Sequence, residues 1–417
     1  MGKLEKYTSY KESGAEWLGE IPEHWETLSN KNIFKIKQKL VGKKSSEYDL
    51  LSLTIKGIIK RDMENPQGKF PAEFNTYQEV NQGDFVFCLF DVEETPRTVG
   101  LSQFDGMITG AYTVMTTKGI DKDYLYYFYL NLDSSKRFKP LYRGLRNTIP
   151  KDSFFSFKTF IPPKEEQTKI ASFLDEKTSQ IDNAISQKEK LIELLKECRQ
   201  ITINEAVTKG LDKNVEFKDS DVEWIGEIPK HWEVIKFKHL FYEKKKAHNI
   251  NLNCGSISFG KVVKKDDEKV PLSTKASYQV LNKGEFLINP LNLNYDLKSL
   301  RIGLSDFDVV VSSGYIVIKN RIDLDKNYFN WLLHRYDIAF MKTLGAGVRQ
   351  TLNYRDIGET LLVNPPKEEQ GKIAEYIETQ TAKIDKAIEL QQNYISKLKE
   401  YKASLIDSVV TGKVRVV

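Results

Sequence analysis

Histidine and cysteine are the side chains that most often bind metal or act as base and nucleophile, so their spacing is read first. Among His24, His231, His239, His248 and His334, no pair has metal-ligand spacing beside a carboxylate or cysteine cluster. Cys88, Cys198 and Cys254 lie far apart, which fits neither a zinc site nor a disulfide framework and points to a reducing compartment. His24 and His231 each stand beside a tryptophan and after a proline, a setting for packing or hydrogen bonding rather than catalysis. Gly345-Ala-Gly-Val-Arg-Gln lacks the third glycine of a dinucleotide-binding turn, and no Walker-A lysine pattern occurs. The run from Lys264 to Lys269 reads as a solvated charge cluster.

Asn364-Pro-Pro-Lys comes closer to a reactive motif. Adenine methyltransferases carry Asn-Pro-Pro followed by an aromatic ring that stacks on a flipped base. Here the fourth position is Lys367, and the parallel segment at Ile161 lacks the asparagine too. A lysine supplies no stacking face. The chain is therefore expected to be non-catalytic and to bind no metal or cofactor itself.

The elements that carry these residues are written twice. Residues 10–26 read YKESGAEWLGEIPEHWE and residues 217–233 read FKDSDVEWIGEIPKHWE, with 11 of 17 positions identical. IPPKEEQTKIASFLDEKTSQIDNAI begins at Ile161, and NPPKEEQGKIAEYIETQTAKIDKAI begins at Asn364. Fainter echoes link the segments at Gly100 and Gly303, at Asn81 and Asn282, and at Arg143 and Ala346. A period near 205 residues is a domain duplication and far too long for a solenoid.

After each Pro-Pro pair a long helix is expected, because proline is tolerated just before a helix and Glu-Glu suits its N-terminus. Apolar residues recur at Ile170, Leu174, Ile181, Ile185, Ile192 and Leu195, and again at Ile373, Ile377, Ile384, Ile388, Ile395, Leu398 and Val409. That is a heptad stripe, and two such stripes can satisfy each other as an antiparallel pair. Gly210 and Gly412 mark the helix ends. About 45 residues at 1.5 Å each span roughly 65 Å. The blocks between helices read as mixed α/β globules. Strands are expected at Phe85–Phe90, Phe286–Ile288 and Val309–Ile318, and short buried helices at Tyr124–Leu130 and Tyr328–Leu333. The fold class is α+β: two homologous mixed domains joined by two long antiparallel coiled-coil helices with pseudo-twofold symmetry. Segment boundaries fall at 1–160, 161–213, 214–363 and 364–417.

Net charge is +5, with an excess of +5 in residues 27–160 and +7 in residues 234–363. Two separate basic blocks are what is expected if both face phosphate. No stretch approaches the ~20 apolar residues of a membrane span. The polar start lacks the apolar core of a signal peptide, so a cytoplasmic location without membrane contact is expected.

The order of variable block, Pro-Pro-x-x-Glu-Gln-x-x-Ile-Ala, long helix, then all of it again, resembles the DNA-specificity subunits of Type I restriction–modification systems. Glu-Trp-x-Gly-Glu-Ile-Pro-x-His-Trp resembles the stretch that opens their recognition domains. The resemblance covers nearly the whole chain. It implies that each block reads one half of a split duplex target and that the helices fix the spacing. It also implies two modification subunits that use S-adenosylmethionine to methylate adenine N6, and restriction subunits that use ATP and Mg²⁺. The candidate base readers are Arg143, Arg146, Asn147 and Thr148, with Arg349, Gln350 and Thr351 in the second copy, because arginine, asparagine and glutamine make bidentate contacts with base edges. Lys43, Lys44, Arg97, Lys244, Lys245, Lys246 and Arg301 are candidate phosphate contacts. A recurring Gly-x-Arg loop is also read equally well as a structural turn. A non-enzymatic coiled-coil scaffold with two binding domains is the rival reading, and an unrecognised nuclease is another.

Overall fold

The computed structural model describes residues 5–63, 73–291, 300–344 and 351–416. The chain divides into two compact units, one of Met1–Glu189 with Gln392–Val417 and one of Lys190–Gln391. This division cuts both long helices and keeps neither whole. The principal helices are α1 (Lys122–Ser134), α2 (Lys164–Lys209), α3 (Lys326–Ala339) and α4 (Lys367–Val410).

Unit 1 is built on strands β1 (Phe34–Ile36), β2 (Leu51–Thr54), β3 (Gly57–Lys60), β4 (Phe85–Phe87), β5 (Val99–Leu101) and β6 (Thr113–Thr117). Four of them form an antiparallel sheet in the order β1-β6-β4-β5, and β2 and β3 form a separate hairpin. Both sheet faces are covered, so strand residues of either parity are apolar. On one face Phe85 and Phe87 meet Phe34 edge-on at 5.4 and 5.5 Å, and Phe154 and Tyr129 close over Phe87. On the other, Val86 and Val114 pack with Leu51, Ile58, Val80 and Ile108. Tyr124, Phe128 and Tyr129 of α1 are fully buried, so its aromatic density is core.

Unit 2 repeats the plan with β7 (Phe241–Glu243), β8 (Gly255–Ser258), β9 (Lys261–Lys264), β10 (Phe286–Ile288), β11 (Ile302–Leu304) and β12 (Ile316–Asn320). The sheet order is β7-β12-β10-β11, and β8 and β9 form the hairpin. Phe286 and Ile288 face a cluster with Phe241 and Phe329, while Leu287 and Val317 face one with Val309 and Val311. The expected single strand Val309–Ile318 is two strands, Val309–Val311 and Ile316–Asn320, each with its own partner. Ser312-Ser313-Gly314 turns the chain between them, and the Tyr315 amide donates to the Ser312 carbonyl at 3.1 Å. Serine and glycine favour that turn over continuing extension.

Helices α2 and α4 match the expected stripes. Ile170, Leu174, Ile373 and Ile377 are essentially inaccessible, and Gly210 and Gly412 end the helices at φ +72° and +73°. In unit 1 the two helices run in opposite directions, because Asp182 pairs with Lys402 at 2.6 Å and Lys188 lies 4.6 Å from the Tyr394 ring. Within unit 2, Arg199 of α2 pairs with Asp385 of α4 at 3.0 Å. The end of α4 belongs to the core of unit 1. Asp407 accepts from Arg137 at 2.6 Å and Asn131 at 3.1 Å, and the Arg415 amide donates to the Glu5 carbonyl at 2.7 Å.

Candidate nucleic-acid interface

The two doubled motifs fit each other. Glu166, in the first turn of α2, accepts from the Trp25 indole at 3.1 Å and faces His24 Nε2 at 2.9 Å. Glu369, in the first turn of α4, does the same for Trp232 at 3.0 Å and His231 at 2.7 Å. The next residue clamps a second element. Gln167 accepts from the Asp121 amide at 2.8 Å and donates to the Pro162 carbonyl at 2.8 Å. Gln370 accepts from the Asp325 amide and donates to the Pro365 carbonyl at the same distances. Asp121 and Asp325 are in turn the N-caps of α1 and α3. Glu-Gln thus ties each long helix to the globule beside it, which accounts for a histidine recurring at this place in both copies.

A second frame recurs inside the blocks. Lys244 binds Asn282 and Glu285, each at 2.7 Å, and Lys37 likewise binds Asn81 and Asp84. Lys244 therefore serves as an internal tie, with little of its side chain left for phosphate. Arg301 is also corrected: it is only 7% exposed and donates to the Leu291 carbonyl at 2.6 Å. The strand packing around β11 draws it inward, a placement its charge alone did not signal.

The loop Arg143–Thr148 is a closed turn on the surface of unit 1. Arg143 and Thr148 exchange backbone hydrogen bonds of 2.9 and 3.0 Å, with Gly144 at φ +68° and Asn147 at φ +43°. The loop is docked by the Asp91 amide, which donates to the Arg146 carbonyl at 2.9 Å. Arg146 stays 80% exposed with Nε 3.4 Å from Asp91, while Arg143 folds back to donate to the Tyr142 carbonyl at 2.8 Å. Leu145 at the tip is fully exposed. A short helix, Lys151–Ser156, intervenes before the last strand of the block, Lys158–Ile161. Arg97 lines a cleft with Asp91, Phe90 and Tyr112 and donates to the Ile55 carbonyl at 2.7 Å. The structure thus brings Arg97 into a cleft that Asp91 also lines, while Arg146 pairs with Asp91.

In the second copy Arg349 and Gln350 lie outside the described residues, and Thr351 is exposed. Lys43, Lys44 and Lys245 are exposed, without ion-pair partners among the described residues, and Lys246 donates to the Ser313 carbonyl at 2.8 Å. Among the described residues no cluster of His, Cys, Asp and Glu could hold a metal ion, and no helix is long and apolar enough to cross a membrane. Sequence reasoning missed the hairpins β2–β3 and β8–β9. Their signal was an apolar run around Lys56-Gly57 and Phe259-Gly260.

The model of the Type I restriction modification DNA specificity domain matches residues 97–196 and 229–400. The chain belongs to that family. It is 25% identical over 434 residues to the type I restriction enzyme MjaX specificity subunit of Methanocaldococcus jannaschii, covering 96% of each chain. It is 27% identical over 335 residues to the MjaVIII specificity subunit of the same organism, covering 75% of each. A chain of a solved type I R-M system shares the fold at TM-score 0.68 and 12% identity, with 94% of this chain and 98% of that one aligned. The HsdS subunit of Thermoanaerobacter tengcongensis follows at TM-score 0.53 and 13% identity, covering 96% and 99%.

Proposed function

We propose that the chain is the non-catalytic DNA-specificity subunit of a Type I restriction–modification complex in which each recognition unit reads one half of an asymmetric duplex target. The observation that carries this reading is a duplicated internal frame under unlike surfaces. The ties from Glu-Gln and from Lys37 and Lys244 recur almost atom for atom. The exposed loop Arg143–Thr148 differs from its counterpart Ala346–Thr351 at three of six positions. A conserved frame with divergent tips suits two readers of different base sequences. Arg97, Arg143, Arg146, Asn147 and Thr148 are the proposed contacts in unit 1, with Arg146 at a base edge. In unit 2 the proposed contacts are Arg349, Gln350 and Thr351, with Lys245 and Lys246 on phosphate.

The helices α2 and α4, as an antiparallel coiled coil with pseudo-twofold symmetry, set the gap between half-sites and dock two modification subunits. Half-sites about one turn apart, roughly 34 Å, lie on one face of the duplex. S-adenosylmethionine belongs to those partners and supplies the methyl group for adenine N6. ATP and Mg²⁺ belong to restriction subunits that join the same core.

Adenine-methylation mapping of host DNA with and without the gene tests this reading. One bipartite motif with an unread gap of several base pairs should vanish on deletion; loss of no motif, or of two unrelated ones, contradicts it. Exchange of residues 27–160 for another family member's block should then change one half-site only. Arg146→Ala should weaken binding of the mapped motif by roughly tenfold and relax one position of that half-site. A uniform loss at all sequences would instead place Arg146 on phosphate.

A further inference from the structure

Each recognition unit projects a second element that the charged loops do not account for. The hairpins β2–β3 and β8–β9 close through two-residue tips, Ile55-Lys56 and Phe259-Gly260. Both tips hold a large apolar side chain out in solvent: Ile55 is 67% exposed and Phe259 is 78% exposed. Isolated exposed apolar residues are ordinary on protein surfaces, but here the same position is apolar in two copies whose tips share no sequence.

The hairpins are held firmly. Leu53 and Ile58 of the first, and Ile257 and Val262 of the second, pack into the sheet-backed clusters. Gly100 leaves no room above them, since a Cβ there would lie 2.7 Å from Leu53, and a Cβ on Gly303 would lie 2.6 Å from the Gly260 carbonyl oxygen. Lys60 sits 5.4 Å from the Phe104 ring, and Lys264 sits 5.2 Å from Phe307, so the outgoing strands are pinned alike. Phe259 holds φ +46°, a conformation that suits Asn or Gly far better than an aromatic residue. A phenylalanine kept at an unfavourable φ and turned toward water is explained by something it touches outside the unit.

The charge around the tips points to the occupant. Residues 51–61 contain Lys56, Lys60 and Arg61 with no carboxylate, and residues 255–265 contain Lys261, Lys264 and Lys265 with none. Lys60 is also paired with Asp49 at 2.5 Å; Lys56 and Lys261, next to the tips, have no ion-pair partner among the described residues. An apolar tip beside a lysine without an ion-pair partner among the described residues, Lys56 in one copy and Lys261 in the other, matches a duplex, whose phosphates take the cation while base methyls or a loosened base step take the apolar group. We infer that the two hairpin tips are apolar DNA-contacting wedges, Ile55 for one half-site and Phe259 for the other, with Lys56 and Lys261 on the flanking phosphates. The inference rests on the proposed function, and it adds a contact that neither charged loop makes.

The test uses the full chain assembled with its modification subunits and a duplex carrying the mapped motif. Phe259→Asn relieves the backbone, so it should raise the thermal midpoint of unit 2 or leave it unchanged, while weakening binding by about tenfold and relaxing one half-site. Ile55→Ser should do the same to the other half-site only. Lys261→Ala should lower the salt dependence by about one phosphate contact at every sequence. Unchanged affinity and base preference in Phe259→Asn and Ile55→Ser overturn the wedge while the wild-type motif leaves the proposed function standing. Failure of these variants to assemble with the modification subunits would turn the tips toward protein and overturn it as well. If the wild-type complex selects no bipartite motif, both readings fall together.

Discussion

Glu166→Ala should destabilise unit 1 by about 3 kcal/mol, because hydrogen bonds to a charged acceptor contribute roughly 1.5–3 kcal/mol each and a stranded buried donor costs more. The Trp25 indole is wholly buried and has Glu166 as its acceptor at 3.1 Å. Tyr7 also donates to Glu166; burial, reinforced by that carboxylate, pushes the phenol far above its ordinary range and keeps it a donor. Alanine leaves both groups without their acceptor and removes the carboxylate from the helix N-terminus, where the dipole favours it. Glu166→Gln keeps an acceptor and should lose about half as much. The thermal midpoint should fall by roughly 2–4 °C per kcal/mol for a unit of this size. Glu369→Ala should act on unit 2 through Trp232 in the same way. An unchanged midpoint in Glu166→Ala would mean that the Glu-Gln tie does not hold the globule to its helix.

Unit 2 should lose stability in mild acid through one side chain. His334 is buried below the β8–β9 hairpin, with the Cβ position of Gly260 only 2.9 Å from its Nε2. Burial pushes its pKa down to about 4, against a smaller opposite pull from the backbone at Gly260 and Ile302; the Arg199 cation adds to the depression. The unfolded chain takes up a proton below pH 6.5, whereas the folded unit refuses it until about pH 4. Its contribution is therefore complete above pH 6.5 and drains away as pH falls toward 4, by up to about 3 kcal/mol. Glu359 and Asp267, each held near 2 by neighbouring lysines, lose their contributions at lower pH, beginning as their unfolded values are reached. Denaturation of wild type and His334→Gln, followed through tryptophan fluorescence, should show a flatter slope between pH 6.5 and 4.5 in the variant. Parallel slopes would remove His334 as the cause.

Long-range repetition and helix periodicity were the legible parts of the fold. A heptad stripe states which helix face is buried, and Gly210 and Gly412 state where each helix ends. The sheets were half-legible: Phe85-Val-Phe announces a strand buried on both sides, but Val309–Ile318 concealed its turn because two short strands and a Ser-Ser-Gly corner are jointly almost as apolar as one long strand. The site was the least legible. Lysine and arginine look alike in sequence whether they meet phosphate or a neighbouring carboxylate. Lys244 went to Glu285 and Arg301 to the interior, while Arg146 stayed out. The exposed tips at Ile55 and Phe259 were hidden for the opposite reason, since an apolar residue beside a glycine reads as ordinary strand.

The seating of α4 on unit 1 has a kinetic corollary. Unit 2 is one uninterrupted stretch, Lys190–Gln391, whereas unit 1 recruits Gln392–Val417 to lie against Met1–Glu189. During vectorial synthesis the second globule therefore has every residue it needs before the first does. The earlier-made block must wait on the ribosome with the Asp407 seat for Arg137 still missing. Its closure joins Arg137 and Asp407, 270 residues apart, and so high a contact order makes that docking the slow, late event in acquiring the native state.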